Sequence, residues 1–576
     1  MKANQILTNF TAGEFSPRLN GRVDISKYYN ACRSLKNMIV FPHGGASRRF
    51  GTVYVAECKD STKEAILIPF QFSTTQSYII EAGDQYFRFY MNNGTIVSGA
   101  LPYEIKTPYT EAQLSGIKWT QNADTMRLVN QAVAPQTLVR NDHTDWDLAT
   151  TIFTAQPAQW TAGNWPGAIA LYEQRSVYAA TPNEPQTLWF SVTAVQDDMT
   201  TGTNDDDGME LTLDSDQVNA ILWLVPARYL NVGTVDGEWM LSGASATNDA
   251  ITPTSRKARR ISNYGSANIQ ARFINNAVIF IQRVAKKVRE LIYNYINDDY
   301  GDPSDLTLLA EHVTKTGIKS FAFQKVPEPI GWFVLNDGGL ISVTYNKTQE
   351  VIAWCKHETE GFFENVAVIP TETHDQAWFI VRRSIDGSDK RYIEYMATDF
   401  GDDQDACWFV DSGLAYSGTE ATSVTGLDHL EGCEVSILAD GAALPNDTVV
   451  SGAVSIPDAA ASITVGLPYT SVLEPMDLEI QGAGGSTQGA RKKIHQAIVR
   501  FYKTLGAKIG TESGTEEVIP FRTPSDLMGS PPPLFTGDKV TNFSGGWDRH
   551  GYIRIIQDQP LPMTILAIVP KVNTND

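Results

Sequence analysis

The chain has 576 residues, 42% of them hydrophobic and 19% charged, with a formal net charge of −20. That is ordinary globular composition, long enough for about three to five domains. It excludes a phosphate-gripping protein, which would be basic. No apolar run approaches the ~18 residues of a membrane span, and Met1–Leu7 carries no apolar signal-peptide core, so neither a spanning segment nor a leader is expected. Five scattered cysteines, Cys32, Cys58, Cys355, Cys407 and Cys433, suit a reducing compartment and offer neither a disulfide framework nor zinc spacing.

From residue 61 onward the chain repeats one layout. Aromatic-rich strands flank a turn in Ser77–Met91, Thr125–Arg140, Arg175–Ser191, Tyr229–Leu241, Val278–Tyr293, Trp332–Tyr345 and Trp378–Tyr395. The turn centres, near 83, 132, 183, 236, 285, 337 and 386, recur every fifty residues or so. Most hairpins are preceded by a further apolar strand, as at Ile66–Phe72, Ala168–Tyr172 and Ile318–Phe323. Asp-Gly turns between apolar runs predict hairpins, and multi-strand repeats of about 40–50 residues predict propeller blades. The expectation is a mainly β chain with a seven-bladed β-propeller-like body over 61–410. The fifth unit is ambiguous, because Val284, Val288, Leu291, Ile292 and Tyr295 also fit helical spacing. Pro303 and Ser304 predict a short helix over Ser304–His312.

Residues 411–490 change texture, with short alternating runs predicting a small β-sandwich or barrel. Gln481–Gly489 reads as a Gly-rich linker, Arg491–Gly506 as a strand or short helix, and Asp526–Asp538 as a Pro-rich tether within a C-terminal β segment, 491–576. Tyr552–Gln557 and Pro562–Pro570 read as two last strands.

Chemistry-bearing motifs are missing: no G-x-S-x-G, P-loop, G-x-G-x-x-G, H-E-x-x-H or C-x-x-C occurs. No catalytic, cofactor or metal residues are therefore assigned, and no enzyme activity or cofactor is expected. Asp197–Asp216 holds eight acids without Lys or Arg. It lacks calcium-loop spacing and reads as a solvated loop or an acidic fringe beside a channel, with Asp205, Asp206, Asp207 and Glu210 as candidates. Arg256–Arg260 and the group Arg283, Lys286, Lys287 and Arg289 read as exposed loop charge or contacts to acidic neighbours. Trp189, Trp223, Trp239, Trp332, Trp354 and Trp378 lie within predicted strands and read as core rather than sugar platforms.

The first 60 residues carry a signature: Phe10-Thr11-Ala12-Gly13-Glu14-Phe15-Ser16-Pro17-Arg18-Leu19, Gly21-Arg22-Val23-Asp24 and Pro42-His43-Gly44-Gly45-Ala46-Ser47-Arg48-Arg49-Phe50-Gly51. Further elements are Ile251–Ser255, Tyr264-Gly265-Ser266, Asp305-Leu306-Thr307 with His312, Val465–Tyr469, Pro532–Asp538 and Gln557–Pro562. In combination these resemble a family of phage and prophage tail proteins related to the tail tubular protein B, or nozzle, of podoviruses. The family often has Pro-Gly where Phe50-Gly51 stands here, and the fifth hairpin has Ala285-Lys286-Lys287 where a Gly turn is expected.

The resemblance implies a virion structural protein made in the bacterial host cytoplasm. It implies a ring, expected to be a homo-hexamer, below a head-to-tail adaptor. Tail fibres or tail-tip proteins would dock outside, and double-stranded DNA would pass without specific binding during ejection. Residues 1–60 are then an assembly segment. Phe10–Asp24 has no strand or helix period and is expected to be held by neighbours rather than by the propeller, with Glu14, Arg18, Arg22 and Asp24 as contacts. A competing reading is a receptor-binding tailspike or adhesin with glycan-binding or depolymerase activity, needing a carboxylate pair about 5–10 Å apart. A plain cellular propeller module is a third.

Overall fold

Long apolar stretches such as Tyr78-Ile79-Ile80 do not alternate with polar residues, and the reason is visible in the computed structural model. Each sheet of the body is covered on both faces by neighbouring sheets, so its middle strands are buried along their length. The structure describes residues 2–4, 6–215, 217–244, 249–294, 299–479, 486–510, 516–542 and 546–575. The chain is mainly β with a propeller-like body; among these residues the one α-helix is Glu111–Leu114.

Seven antiparallel sheets follow one another along the chain. The first runs Ile66–Gln71, Ser77–Gly83 and Tyr86–Met91, the second starts at Lys118–Asn122, the third at Ala168–Tyr172 and the fourth at Ile221–Pro226. The fifth starts at Arg272–Ile274, the sixth at Ile318–Gln324 and the seventh at Phe362–Pro370. A hydrophobic cluster fills the gap between each sheet and the next, and the last cluster packs Ile369, Trp378 and Ile380 of the seventh against Leu67, Ile79 and Tyr90 of the first. The seventh sheet takes its fourth strand, Thr52–Glu57, from far upstream, antiparallel to Ser388–Met396.

Backbone hydrogen bonds link successive sheets at several of the hairpin turns. A turn of one sheet accepts a hydrogen bond from the segment entering the next: Ile221 N to Pro185 O at 2.8 Å, Ser266 N to Thr234 O at 2.9 Å, Ile318 N to Ala285 O at 2.7 Å and Phe363 N to Gly338 O at 2.8 Å. These bonds tie each sheet to the next through main-chain groups, although the chain between turn and crossover varies in length.

Several expectations need correction. The fifth unit, read as a hairpin with a helix as the alternative, is the hairpin: Val288–Asn294 is a strand, with Leu291 and Tyr293 packed on Trp223 and Met240 of the fourth sheet, while Tyr295 lies outside the described residues. The fifth hairpin turns on Ala285, at φ 56°. The helix expected over Ser304–His312 is absent: Ser304–Asp305 pairs with the fifth sheet, and Asp305 Oδ1 accepts from Thr307 N and Oγ1 at 2.9 and 2.6 Å. That side-chain turn diverts the backbone, and a 3-10 turn follows at Glu311–Thr314.

Downstream, Asp411–Thr425, Ala453–Leu467, Glu434–Ala439 and Ala442–Thr448 pair in that spatial order, the last strand in sequence lying between the first and the second, and share their own core. They are joined to Thr52–Glu57 by the parallel bridge Gly413–Val53. Ser471–Pro475 leaves them and pairs with Ala31–Lys36 and Arg554–Gln557. Residues 481–485 of the expected linker lie outside the described residues. Arg491–Thr504 is a strand, paired with Thr564–Asn575 and Phe535–Asn542, so the tether ends where Phe535 enters the sheet.

Candidate functional site

The acidic stretch occupies the crossover from Thr187–Phe190 to Met209–Thr212, the last strand of the third sheet and the one farthest in the sheet from Ala168–Tyr172. It is ordered from beneath by Arg175, a buried side chain donating to Asp205 O and Asp207 O, both at 2.6 Å. Asp197 is taken by Arg127 in a two-pronged pair at 2.9 and 2.8 Å, and Glu210 accepts from Trp189 Nε1 at 3.2 Å. Asp205, Asp206 and Glu210 are exposed and Asp207 is half-buried, its Oδ2 accepting from Asn204 N at 2.9 Å. Asp216 lies outside the described residues. Among those described, no cluster of three His, Cys, Asp or Glu could hold a metal ion.

The N-terminal candidates divide. Glu14 is 2% exposed and cannot meet a neighbouring subunit. Its carboxylate accepts from Leu35 N at 2.9 Å and His312 Nε2 at 2.7 Å, and pairs with Lys356 at 2.6 Å. Burial alone would raise its pKa, but His312 and Lys356 prevail and hold it below the ordinary carboxylate value. Gly13 beside it, at φ +70°, lies so close to the sixth sheet that a Cβ would sit 2.3 Å from Trp354 N. The stretch around Phe10, Gly13 and Phe15 is thus held by the fold itself, contrary to the expectation for Phe10–Asp24. Arg18 pairs with Glu311 at 2.8 Å, and Arg22 with Asp24 at 2.8 Å, all four on the surface.

The basic groups are mostly satisfied within the chain. Arg256 donates to Glu210 O, Arg260 pairs with Asp236 and Lys287 with Asp305. Arg289 is buried, donates to Pro303 O at 2.7 Å and stacks 3.4 Å over the Tyr264 ring. The six strand tryptophans are core, none more than 8% exposed.

Sequence reasoning passed over a cavity of about 410 Å³ among the first strands of the first, second, sixth and seventh sheets and the approach to the fifth. Lys118 enters it from the second sheet and reaches the opposite side, donating to Leu222 O and, at 2.6 Å, to Asn268 Oδ1. Burial pulls its pKa down to about 7. Arg272 lines the same space. The available signal was a lone cation between two apolar residues, Ile117-Lys118-Trp119, at the start of a strand.

No protein-family model matches the chain, and no curated protein does. Among solved structures, the Pan2 WD40 domain of Neurospora crassa is 10% identical, covering 62% of this chain and 96% of its own, with TM-score 0.34. Raptor of Chaetomium thermophilum is 9% identical over 61% of this chain and 30% of its own, TM-score 0.39. BBS1N in complex with ARL6DN is 8% identical over 61% and 99%, TM-score 0.38. Such values speak to neither partners nor activity. The class that the sheets define is a mainly β protein with a propeller-like body. Among the described residues no helix is long and apolar enough to cross a membrane.

Proposed function

We propose that this chain is the nozzle subunit of a short phage tail, its seven sheets the blades of one propeller, assembling as a ring of six below a head-to-tail adaptor. The observation that supports the reading is where the family-like segments meet. Arg48 and Arg49, from the Gly44–Gly51 signature, lie against the Tyr469 ring at 4.3 and 4.0 Å. Arg48 also donates to Gln559 O and Leu561 O, and Tyr469 Oη donates to Arg49 O at 2.5 Å. Three signature segments from the two ends of the chain thus make one buried joint. A second joint brings His312 to Glu14 and Ser16 N to Leu309 O. Residues spent on joints rather than on a reactive cleft suit an assembly protein.

In a ring of such subunits DNA would pass between them, through the centre of the ring. The exposed carboxylates of Asp205, Asp206 and Glu210 are the candidates for its wall, where negative charge makes no lasting phosphate contact. Only charges within about 8–10 Å of the duplex matter at physiological salt. Fibres or tail-tip proteins would dock on the outer face, and the chain would reside in the virion. Electron microscopy of the purified protein with its adaptor tests this: rings with an open centre are expected, and monomers that never assemble would refute it. Polysaccharide turnover lost on changing one carboxylate pair would instead favour the tailspike reading.

A further inference from the structure

We propose that the axial cavity is a binding site for a small oxyanion, a carboxylate or a phosphate, with Arg272 as its main contact and Lys118 as the second cation. The argument is one of charge accounting. Six charged side chains line the cavity: Glu64, Glu111, Lys118, Arg272, Lys319 and Glu364. Glu364 is gripped by Arg382 at 3.1 Å and by Arg391 at 2.7 Å, and Glu64 pairs with Lys319 at 3.2 Å. Glu111 is exposed and turned to main chain, accepting from Glu64 N at 2.7 Å. The two cations that remain have no carboxylate. Lys118 finds only neutral oxygens, and the Nε of Arg272 is buried with no hydrogen-bond partner among the described residues.

Arg272 is half-buried; a guanidinium cannot relieve itself by losing its proton, so one without a carboxylate in a partly enclosed space is costly to keep. Its desolvation is largely offset once an anion arrives, because charge attraction is strong between walls such as Ile66, Trp119 and Phe321. The guanidinium presents forked N–H donors that match the paired oxygens of carboxylate or phosphate. A space of about 410 Å³ lies within the range of small-ligand pockets. The lowered Lys118 pKa adds a consequence: a bound anion restores the ammonium, so binding takes up protons near neutral pH.

The test uses the full chain, with sodium phosphate and sodium acetate titrated in separate arms against sodium chloride of equal ionic strength. Saturable binding by calorimetry and a raised melting temperature are expected in at least one oxyanion arm and not with chloride. Response to phosphate alone assigns a phosphorylated ligand, and response to acetate assigns a carboxylate. Arg272→Gln should weaken binding at least about ten-fold, by loss of the forked contact. Without anion, Arg272→Met should melt no lower than the parent, because it removes a half-buried charge that has no carboxylate partner. Absence of saturable binding up to about 10 mM, weaker than any useful site, would overturn the proposal. So would an Arg272→Gln protein that binds as the parent does.

Discussion

Arg49 holds both carboxylate oxygens of Asp411, at 2.8 and 2.6 Å, across 362 residues of sequence and with neither side chain exposed. Around them Arg49 donates to Asn37 Oδ1 and Glu358 O, and Asp411 accepts from Thr52 N at 3.2 Å. Beside this pair, Arg383 grips Glu394 at 2.7 and 2.8 Å, and Glu394 also accepts from Thr52 Oγ1 at 2.5 Å. One connected set of charges therefore joins the N-terminal segment, the seventh sheet and the strands that follow it. Such a network is weak support for net stability but severe to break, since the widowed partner stays buried.

Arg49→Met or Asp411→Asn should accordingly cost about 3–5 kcal/mol. Burial alone would raise the Asp411 pKa, but Arg49 prevails and holds it below the ordinary value. A carboxyl lowered in the folded state contributes stability that is complete above its unfolded pKa of about 3.9 and is lost as pH falls through the folded one. Asp411→Asn should thus lower the melting temperature at pH 7 and flatten its decline below about pH 4. Melting curves across pH decide it; a variant as stable as the parent at pH 7 would contradict the joint.

Glu14→Gln should destabilise the isolated subunit by about 1–3 kcal/mol, since Leu35 N, His312 and Lys356 all depend on its charge. Arg18→Ala and Arg22→Ala should each stay within about 0.5 kcal/mol of the parent, being exposed ion pairs. If either arginine faces a neighbour, its loss appears in ring formation by size-exclusion chromatography and not in melting. Equal melting of Glu14→Gln and parent would return Glu14 to the assembly contacts.

A chain shortened to begin at residue 61 loses Thr52–Glu57 and leaves Ser388–Met396 as an open edge. Unpaired edges invite intermolecular pairing. Light scattering should show aggregation at concentrations where the full chain is clear, and a monodisperse shortened protein would sink the closing role of this strand.

The acidic wall can be tested by reversal. Replacing Asp205, Asp206 and Glu210 together with Lys should leave melting nearly unchanged, because these carboxylates are exposed. If they face the channel, assembled rings of the variant should retain double-stranded DNA at low salt and release it as salt rises, while parent rings retain none. Variant rings that ignore DNA would place this loop elsewhere.

Strands and turns were legible from the residues alone wherever the determinants lie close in sequence. The hairpin in Trp378–Tyr395 turns at Asp386-Gly387, with φ of 47° and 71°, where Asp-Gly had marked it. The spacing of such turns exposed the repeat, because each sheet is built from a hairpin and its flanking strands. Where helix and strand signals competed, at Val284–Tyr295 and Ser304–His312, local pattern could not arbitrate: packing on the preceding sheet and the Asp305 side-chain turn did. The partners of Glu14, Asp411 and Lys118 were equally hidden. An ion pair needs its two groups within about 4 Å, and closing loops of hundreds of residues leaves no local trace of which groups will meet. Sequence names the charges; only the folded sheets determine which are matched and which, as at Arg272 with its buried, unbonded Nε, are not.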